Sequence, residues 1–128
     1  MTQEDKELIF KELCARLPYH VKCKIWIKDG TTEEGLLDLQ HNYGNVLQDA
    51  FYYNKIKDIK PYLFPLSSMT EEEKEEYCQL QQRVIYNSKG VINEDVTKYI
   101  NWCYKKHLDI NNLIPMGLAI DATNLNIY

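Results

Sequence analysis

The sequence predicts an α+β fold in which a small antiparallel sheet is flanked by three helices. Apolar residues recur at helical spacing near the N-terminus and again in the second half of the chain, whereas apolar and polar residues alternate from residue 21. Helical spacing indicates an amphipathic helix, and alternation with a period of two indicates a strand with one buried face. The strand patterns are consecutive and separated by tight turns, which is typical of a four-stranded antiparallel meander over about residues 20–63.

A meander this small must be covered by helices or must curl, because an open sheet leaves unpaired edges. We therefore expect that it could curl into an SH3-like small barrel. The chain has 128 residues, with no internal repeat and no linker long enough to divide it. A single domain over residues 1–128 is expected, since this length buries a core without disulfides or metals.

The N-terminal helix is predicted over about residues 3–17. Thr2 can cap it, with Asp5 as a capping-box partner, and Pro18 closes it. The apolar stripe of this helix consists of Leu8, Ile9, Leu13 and Leu17.

The first strand begins at Val21 and ends at the Asp29-Gly30 turn. Further strands are predicted at about 34–40, 46–53 and 56–62. Pro61 cannot donate to a ladder, so it belongs at an edge or at the end of the fourth strand.

Two further helices are predicted, at about 71–83 and 94–108. Thr70 and Glu73 form a capping box for the first of them, and Asn93 caps the second. The second carries an apolar stripe: Val96, Tyr99, Ile100, Cys103 and His107. The C-terminal segment, residues 109–128, has no regular pattern, and the sequence leaves open whether it joins the sheet or lies over the helices.

The segments KPYLFPLSSMTEEEKEEY and LIPMGLAIDATNLNIY, together with LCARLPY, carry a resemblance. The chain resembles short, uncharacterised proteins of gut Bacteroidetes and of their prophages and mobile elements. The resemblance covers both ends and the middle of the chain, and the strand region matches mainly in pattern. It implies a bacterial or phage origin and a cytoplasmic location, and it carries no assigned activity and no catalytic residues.

Composition narrows the function classes. The net charge is −4 and no segment is strongly basic, which disfavours nucleic-acid binding by bulk charge. No apolar run reaches the ~20 residues that span a bilayer, and the acidic N-terminus is unlike a secretory signal, so we expect a cytoplasmic protein without membrane contact. In that compartment the four cysteines, at positions 14, 23, 78 and 103, should be free, buried or half-buried thiols.

No sequence motif indicates a catalytic site. Phosphate-binding glycine loops are absent from the sequence, and neither the carboxylates nor the thiols and histidines form a pattern that implies convergence. Cys103 and His107 have the spacing of two metal ligands on a helix, yet both continue the apolar stripe, which favours a core cysteine and a hydrogen-bonded histidine. We therefore expect no enzyme activity, no metal and no cofactor.

The candidate binding residues lie on the outward face of the first strand: Lys22, Lys24, Trp26 and Lys28. Lysines beside an aromatic ring on a sheet can hold single-stranded nucleic acid by stacking and phosphate pairing. Lys55, Lys57 and Lys60 with Tyr52 or Tyr53 could extend this face. The alternatives are a plain solvated strand face, with Trp26 packed under a helix, or a surface that receives a protein segment.

The leading functional hypothesis is a non-catalytic interaction module with a protein partner. A weak single-stranded nucleic-acid binder that uses the Lys/Trp face is the first alternative. The second is a phage accessory protein that binds a host protein or a small signalling molecule. The sequence indicates neither the partner nor the oligomeric state.

Overall fold

A computed structural model describes residues 2–37, 56–86 and 93–128. The described part is an α+β arrangement, which confirms the predicted class. Its helices are α1 (Gln3–Arg16), α2 (Glu71–Tyr86) and α3 (Asn93–Lys105), with short 3-10 turns at Leu17–Tyr19 and Leu66–Ser68. Its strands are β1 (Val21–Ile27), β2 (Thr32–Leu37), β3 (Ile56–Leu63) and β4 (Ile120–Asp121).

The sheet is mixed, so the prediction of an all-antiparallel meander was wrong. Its order is β2-β1-β3-β4, in which β1 is antiparallel to β2 and β3, and β3 is parallel to β4. Parallel pairing requires a long crossover, and α2 and α3 provide it. Among the described residues β2 and β4 occupy opposite edges, so the sheet is not closed into the SH3-like barrel that we expected. The predicted strand at 46–53 lies outside the described residues, and the predicted fourth strand is β3.

Strand β3 pairs with β1 up to Pro61 and with β4 beyond it. Pro61 lies opposite Cys23 in the β1–β3 ladder, near the end of β3, where its missing N–H is not needed for the pairing. Beyond this pair the side chain of Tyr128 enters between the strands. Its hydroxyl accepts from the Lys22 N–H at 2.8 Å and donates to the Tyr62 carbonyl at 2.7 Å. Burial raises the pKa of the Tyr128 hydroxyl, so it keeps the proton that it donates.

From there β3 bonds to the C-terminal segment. The Ala122 N–H donates to the Leu63 carbonyl at 2.8 Å, and the Phe64 N–H donates to the His107 carbonyl at 2.8 Å. The C-terminal segment therefore joins the sheet, which answers the question that the sequence left open.

The core lies between one face of the sheet and α1. The inward residues of β1 are buried, and Ile9 and Leu13 of α1 are fully buried, as the helical stripe predicted. Leu113 and Leu118 of the C-terminal segment complete the core. Thr2 and Asp5 form both bonds of the predicted capping box, at 3.0 and 3.1 Å, which fixes the start of α1.

A buried ion pair within α1 is hydrogen-bonded to residues that follow α3. Arg16 is fully buried and donates to the Glu12 carboxylate through Nε at 2.9 Å and Nη2 at 2.6 Å. The Nη2 atom also donates to the Leu108 carbonyl at 2.7 Å, and Asn111 donates to the second Glu12 oxygen at 2.8 Å. The guanidinium lies 4.7 Å from the centroid of the Tyr104 ring. Groups from α1, from α3 and from the chain after α3 therefore meet around one buried ion pair.

α2 begins at Glu71 as predicted, whereas Asn93, which we expected to cap α3, is its first helical residue, and both helices end elsewhere than predicted. Thr70 and Glu73 exchange the two capping-box bonds, at 3.0 and 3.2 Å. α2 continues to Tyr86 rather than to about 83, and α3 ends at Lys105 rather than at about 108. His107 therefore does not lie on the helical stripe: it follows the helix with φ +56°, a left-handed conformation that glycine usually supplies at a helix end.

Two bonds complete this helix end. The His107 N–H donates to the Tyr104 carbonyl at 3.0 Å, and the Leu108 N–H donates to the Cys103 carbonyl at 3.0 Å. This is the pairing of a Schellman motif, and it turns the chain back toward β3.

Candidate binding face

The outer face of the sheet is built by strand alternation. Val21, Cys23 and Ile25 point into the core, so the alternate residues of β1 point away from it. The register places Lys24 between Glu34 of β2 and Lys60 of β3, and it places Trp26 between Thr32 and Asp58. We call this surface the outer face and define it by these members: Lys22, Lys24, Trp26, Thr32, Glu34, Asp58, Lys60 and Tyr62.

Trp26 is the centre of the outer face. Its side chain is partly exposed and does not belong to the buried core, contrary to the alternative in which it packs inside. The Lys24 ammonium lies 5.4 Å from the indole centroid and the Lys60 ammonium lies 5.6 Å from it. Such contacts are worth roughly 0.5–1 kcal/mol at exposed sites. Two cations therefore lie over one partly exposed aromatic ring.

The pairing of Lys24 with Lys60 destabilises the sheet through charge repulsion. Lys24 and Lys60 are direct cross-strand partners, and like charges in this position repel each other. Asp58 offsets part of the repulsion, since its carboxylate lies 3.9 Å from the Lys60 ammonium. Lys24 has Glu34 as its neighbour on the other side, but that carboxylate is already engaged by a hydroxyl.

That hydroxyl belongs to Tyr62, which reaches across β1. Its oxygen donates to Glu34 at 2.6 Å, and only 4% of Tyr62 is exposed. Burial, with the Glu34 carboxylate as a lesser cause, raises the pKa of Tyr62 to about 12, so the hydroxyl stays protonated and donating. The bond fixes one edge of the outer face across three strands.

The predicted site residues do not all meet. Lys24 and Trp26 come together, and Lys60, which we considered as an extension, joins them. Lys22 lies further along the same strand, and Lys28 lies beyond β1 in the exposed turn. In that turn Asp29 accepts from the Thr31 N–H at 2.8 Å and from its hydroxyl at 2.6 Å, and the hydroxyl bond is the main reason why the pKa of Asp29 is lowered.

Of the other residues considered, Lys57 is exposed beside the register shift of β3, while Lys55, Tyr52 and Tyr53 lie outside the described residues. Sequence reasoning missed Glu34, Asp58 and Tyr62 as members of the face. Glu34 stands between Glu33 and Gly35, and Asp58 stands between Lys57 and Ile59, so alternation does not single them out, and only the register shows which residues stand beside the lysines.

The Cys103–His107 pair is not a helical ligand pair, because His107 lies after the end of α3. Cys103 is fully buried, and burial raises the pKa of its thiol to about 11. The Nδ1 atom of His107 is buried and makes no hydrogen bond to the described residues. No group of three or more potential metal ligands occurs within residues 2–37, 56–86 and 93–128.

The cysteines are unpaired, and their exposure differs. Cys23 and Cys103 are buried, whereas Cys14 and Cys78 are exposed, so the expectation of buried or half-buried thiols was wrong for the latter two. Cys14 and Cys78 lie at solvent-exposed positions of α1 and α2, outside the apolar stripes of these helices.

Comparisons with known proteins give no relative. No family model, no curated protein and no solved structure matches the chain. Among the helices of the described segments, none combines the length and the apolar character needed to cross a bilayer.

Proposed function

We propose that the protein is a non-catalytic binding module and that the outer face around Trp26 is its working surface. The observation that carries this proposal is the partly exposed Trp26 indole with the Lys24 and Lys60 ammonium groups over its ring, at 5.4 and 5.6 Å from the centroid. Tryptophan is among the residues that contribute most to binding when a partner covers them. Trp26 lies on β1, which pairs with β2 on one side and with β3 on the other. The backbone of the binding surface is therefore already ordered, and binding costs little conformational entropy there.

The partner should carry negative charge. Lys24 and Lys60 repel each other across the β1–β3 ladder, and an anionic group placed between them would relieve that repulsion. A flexible acidic protein segment with an apolar or aromatic side chain fits this face, because its carboxylates would pair with the lysines while its apolar group covers the indole. A host protein of this kind would suit the phage or mobile-element origin that the resemblance implies.

Single-stranded nucleic acid is the second candidate. Two ammonium groups close to one ring favour it, since a base can stack on the indole while the lysine side chains turn to pair with the neighbouring phosphates. Asp58 and Glu34 reduce the positive charge of the face, which makes weak binding the expectation.

Both candidates are tested by titrating the protein with oligothymidylate and with poly-glutamate at about 20 mM and about 150 mM salt. Lys24→Gln and Lys60→Gln should each weaken binding about threefold to tenfold and reduce its salt dependence. Lys74→Gln is the matched control, because this lysine pairs with Glu71 on the exposed side of α2. The polymer that binds more tightly identifies the partner class.

Two results would contradict the proposal. Binding that Lys74→Gln weakens as much as Lys24→Gln would place the working surface elsewhere. Turnover of a nucleotide, peptide or glycan by the purified protein, lost on substitution of a single cleft residue, would show that the protein is an enzyme.

A further inference from the structure

A cavity of about 520 Å³ lies between the end of α3, the start of α2 and the C-terminal segment. This volume falls within the range of about 300–1,000 Å³ that is typical of small-molecule sites. The cavity shares no residue with the outer face. Its lining residues are Phe64, Ser68, Met69, Glu73, Lys105, Lys106, His107, Leu108, Thr123, Asn124 and Tyr128.

One wall of the cavity is aromatic. The rings of His107 and Tyr128 are stacked, with centroids 3.7 Å apart and planes 10° from parallel, and the Phe64 ring lies 5.8 Å from that of Tyr128. Tyr128 is held through its hydroxyl between β1 and β3, and the main chain of His107 and of Phe64 is fixed by backbone hydrogen bonds. The backbone that carries the wall is therefore in place before any ligand arrives.

This wall carries no charge at neutral pH. Burial, with the nearby Arg16 and His20 as lesser causes, lowers the pKa of His107 to about 4. Its Nδ1 atom is enclosed and faces no partner in the described part of the chain. His107 consequently offers a flat neutral ring rather than a cation.

The charge in the cavity comes from two lysines. Lys105 and Lys106 follow each other at the C-terminal end of α3, where cations complement the helix dipole. Neither makes an ion pair with a described residue, whereas Lys60, Lys74 and Lys98 each lie within 4 Å of a carboxylate. Glu73 is the one acidic residue in the lining, and one of its oxygens accepts from the Thr70 N–H at 3.0 Å.

We propose that this cavity binds a small molecule in which an aromatic ring carries a phosphate or carboxylate group. The ring would pack against the Phe64, His107 and Tyr128 wall, and the anionic group would pair with the Lys105 and Lys106 ammonium groups. A free aromatic acid and a mononucleotide share this chemistry. The inference does not depend on the proposed function, because the two surfaces have no residue in common.

The test is a titration of the full chain with phenyl phosphate, followed by NMR. Binding at about millimolar concentration is expected, with shifts at the Phe64, His107 and Tyr128 rings and none at the Trp26 indole. Phenol and inorganic phosphate, which each carry half of the ligand, should bind at least about tenfold more weakly. Adenosine monophosphate and benzoate, titrated in parallel, distinguish a nucleotide from an aromatic acid by which binds more tightly.

Charge variants test the role of the lining. Lys105→Gln with Lys106→Gln should weaken phenyl phosphate binding about tenfold, whereas Lys98→Gln on the same helix should leave it unchanged. Glu73→Gln should tighten binding, and it keeps the capping box because glutamine serves in that position. The proposal is overturned if no aromatic anion binds, if inorganic phosphate binds as tightly as phenyl phosphate, or if Glu73→Gln weakens binding.

Discussion

Replacement of Arg16 by methionine should destabilise the protein strongly. The change removes a fully buried guanidinium that donates to Glu12 at 2.9 and 2.6 Å and to the Leu108 carbonyl at 2.7 Å. Glu12, which is 3% exposed, would keep only its bond from Asn111 at 2.8 Å, and the Leu108 carbonyl would lose its side-chain donor. Removing one partner of a buried ion pair costs about 3–5 kcal/mol, mainly because the other charge is left uncompensated.

Urea denaturation measures this cost. For a slope of about 2 kcal/mol per molar, a loss of about 4 kcal/mol lowers the midpoint by about 2 M with the slope unchanged. Such a loss is a large part of the 5–15 kcal/mol that is typical of a domain.

Two controls separate charge from packing. The double variant Arg16→Met with Glu12→Leu removes both charges and should recover most of the loss, because an apolar pair of similar volume often replaces a buried ion pair without cost. Lys98→Met breaks the exposed pair with Glu94, at 3.3 Å, and should change stability by less than about 0.5 kcal/mol. A loss below about 1 kcal/mol for Arg16→Met, or a double variant as unstable as the single one, would refute this reasoning.

Three further predictions concern single groups. Tyr128→Phe removes the hydroxyl between Lys22 and Tyr62, so it should lower the free energy of unfolding in urea by about 1–3 kcal/mol, and an unchanged midpoint would contradict the bridging role. The pKa of His107 is about 4 in the folded protein and about 6.5 when unfolded, so the unfolded chain binds more protons between these values. Stability should therefore fall as pH drops from about 6.5 to about 4, by about 1–2 kcal/mol after allowance for partial exposure, and His107→Asn, which tolerates the left-handed backbone, should remove this part of the pH dependence. An equal pH slope in both proteins would exclude His107 as its cause. A thiol reagent at pH 8 should modify two cysteines rapidly in the folded protein and the other two only on unfolding; the fast pair is Cys14 and Cys78, and the slow pair is Cys23 and Cys103. Rapid modification of all four would contradict the burial of the slow pair.

Several elements were predictable because local residues determine them. Thr2 with Asp5 and Thr70 with Glu73 form the capping boxes that their spacing indicates. The alternation in β1 and the Gly30 turn, where φ is +92°, specify the β1–β2 hairpin.

The parallel strand β4 could not be predicted in the same way. It contains two residues, which is too short for any period, and its partner Tyr62–Leu63 lies 58 residues earlier in the chain. Its position follows from the crossover and from the bonds that Tyr128 and Ala122 make to β3, all of which are long-range.

The end of α3 was missed for a different reason. A glycine or asparagine after a helical stripe signals a left-handed stop, and this chain has His107 there instead. The Glu12–Arg16 pair was also missed, since charges four residues apart normally indicate a solvated helix surface. Only the packing of residues 108–111 over α1 turns that pair into a buried one.

The candidate face was predictable in part. Alternation alone puts Lys24 and Trp26 on one side of β1, and this placement is confirmed. The register of three strands determines that Lys60 lies beside Trp26. It also places the Asp58 and Glu34 carboxylates beside the lysines, where they reduce the positive charge of the face. A binding role for this face stays a proposal.

Binding measured through Trp26 itself tests that proposal most directly. Trp102→Phe removes the other tryptophan, which lies on α3 and donates to Glu76 at 2.9 Å, and leaves Trp26 as the one indole. Oligothymidylate or poly-glutamate added at low salt should change the Trp26 fluorescence saturably, and Lys24→Gln with Lys60→Gln should weaken the response about tenfold or more. No change with either polymer, or an equal change when both lysines are replaced, would contradict the assignment of the outer face as the working surface.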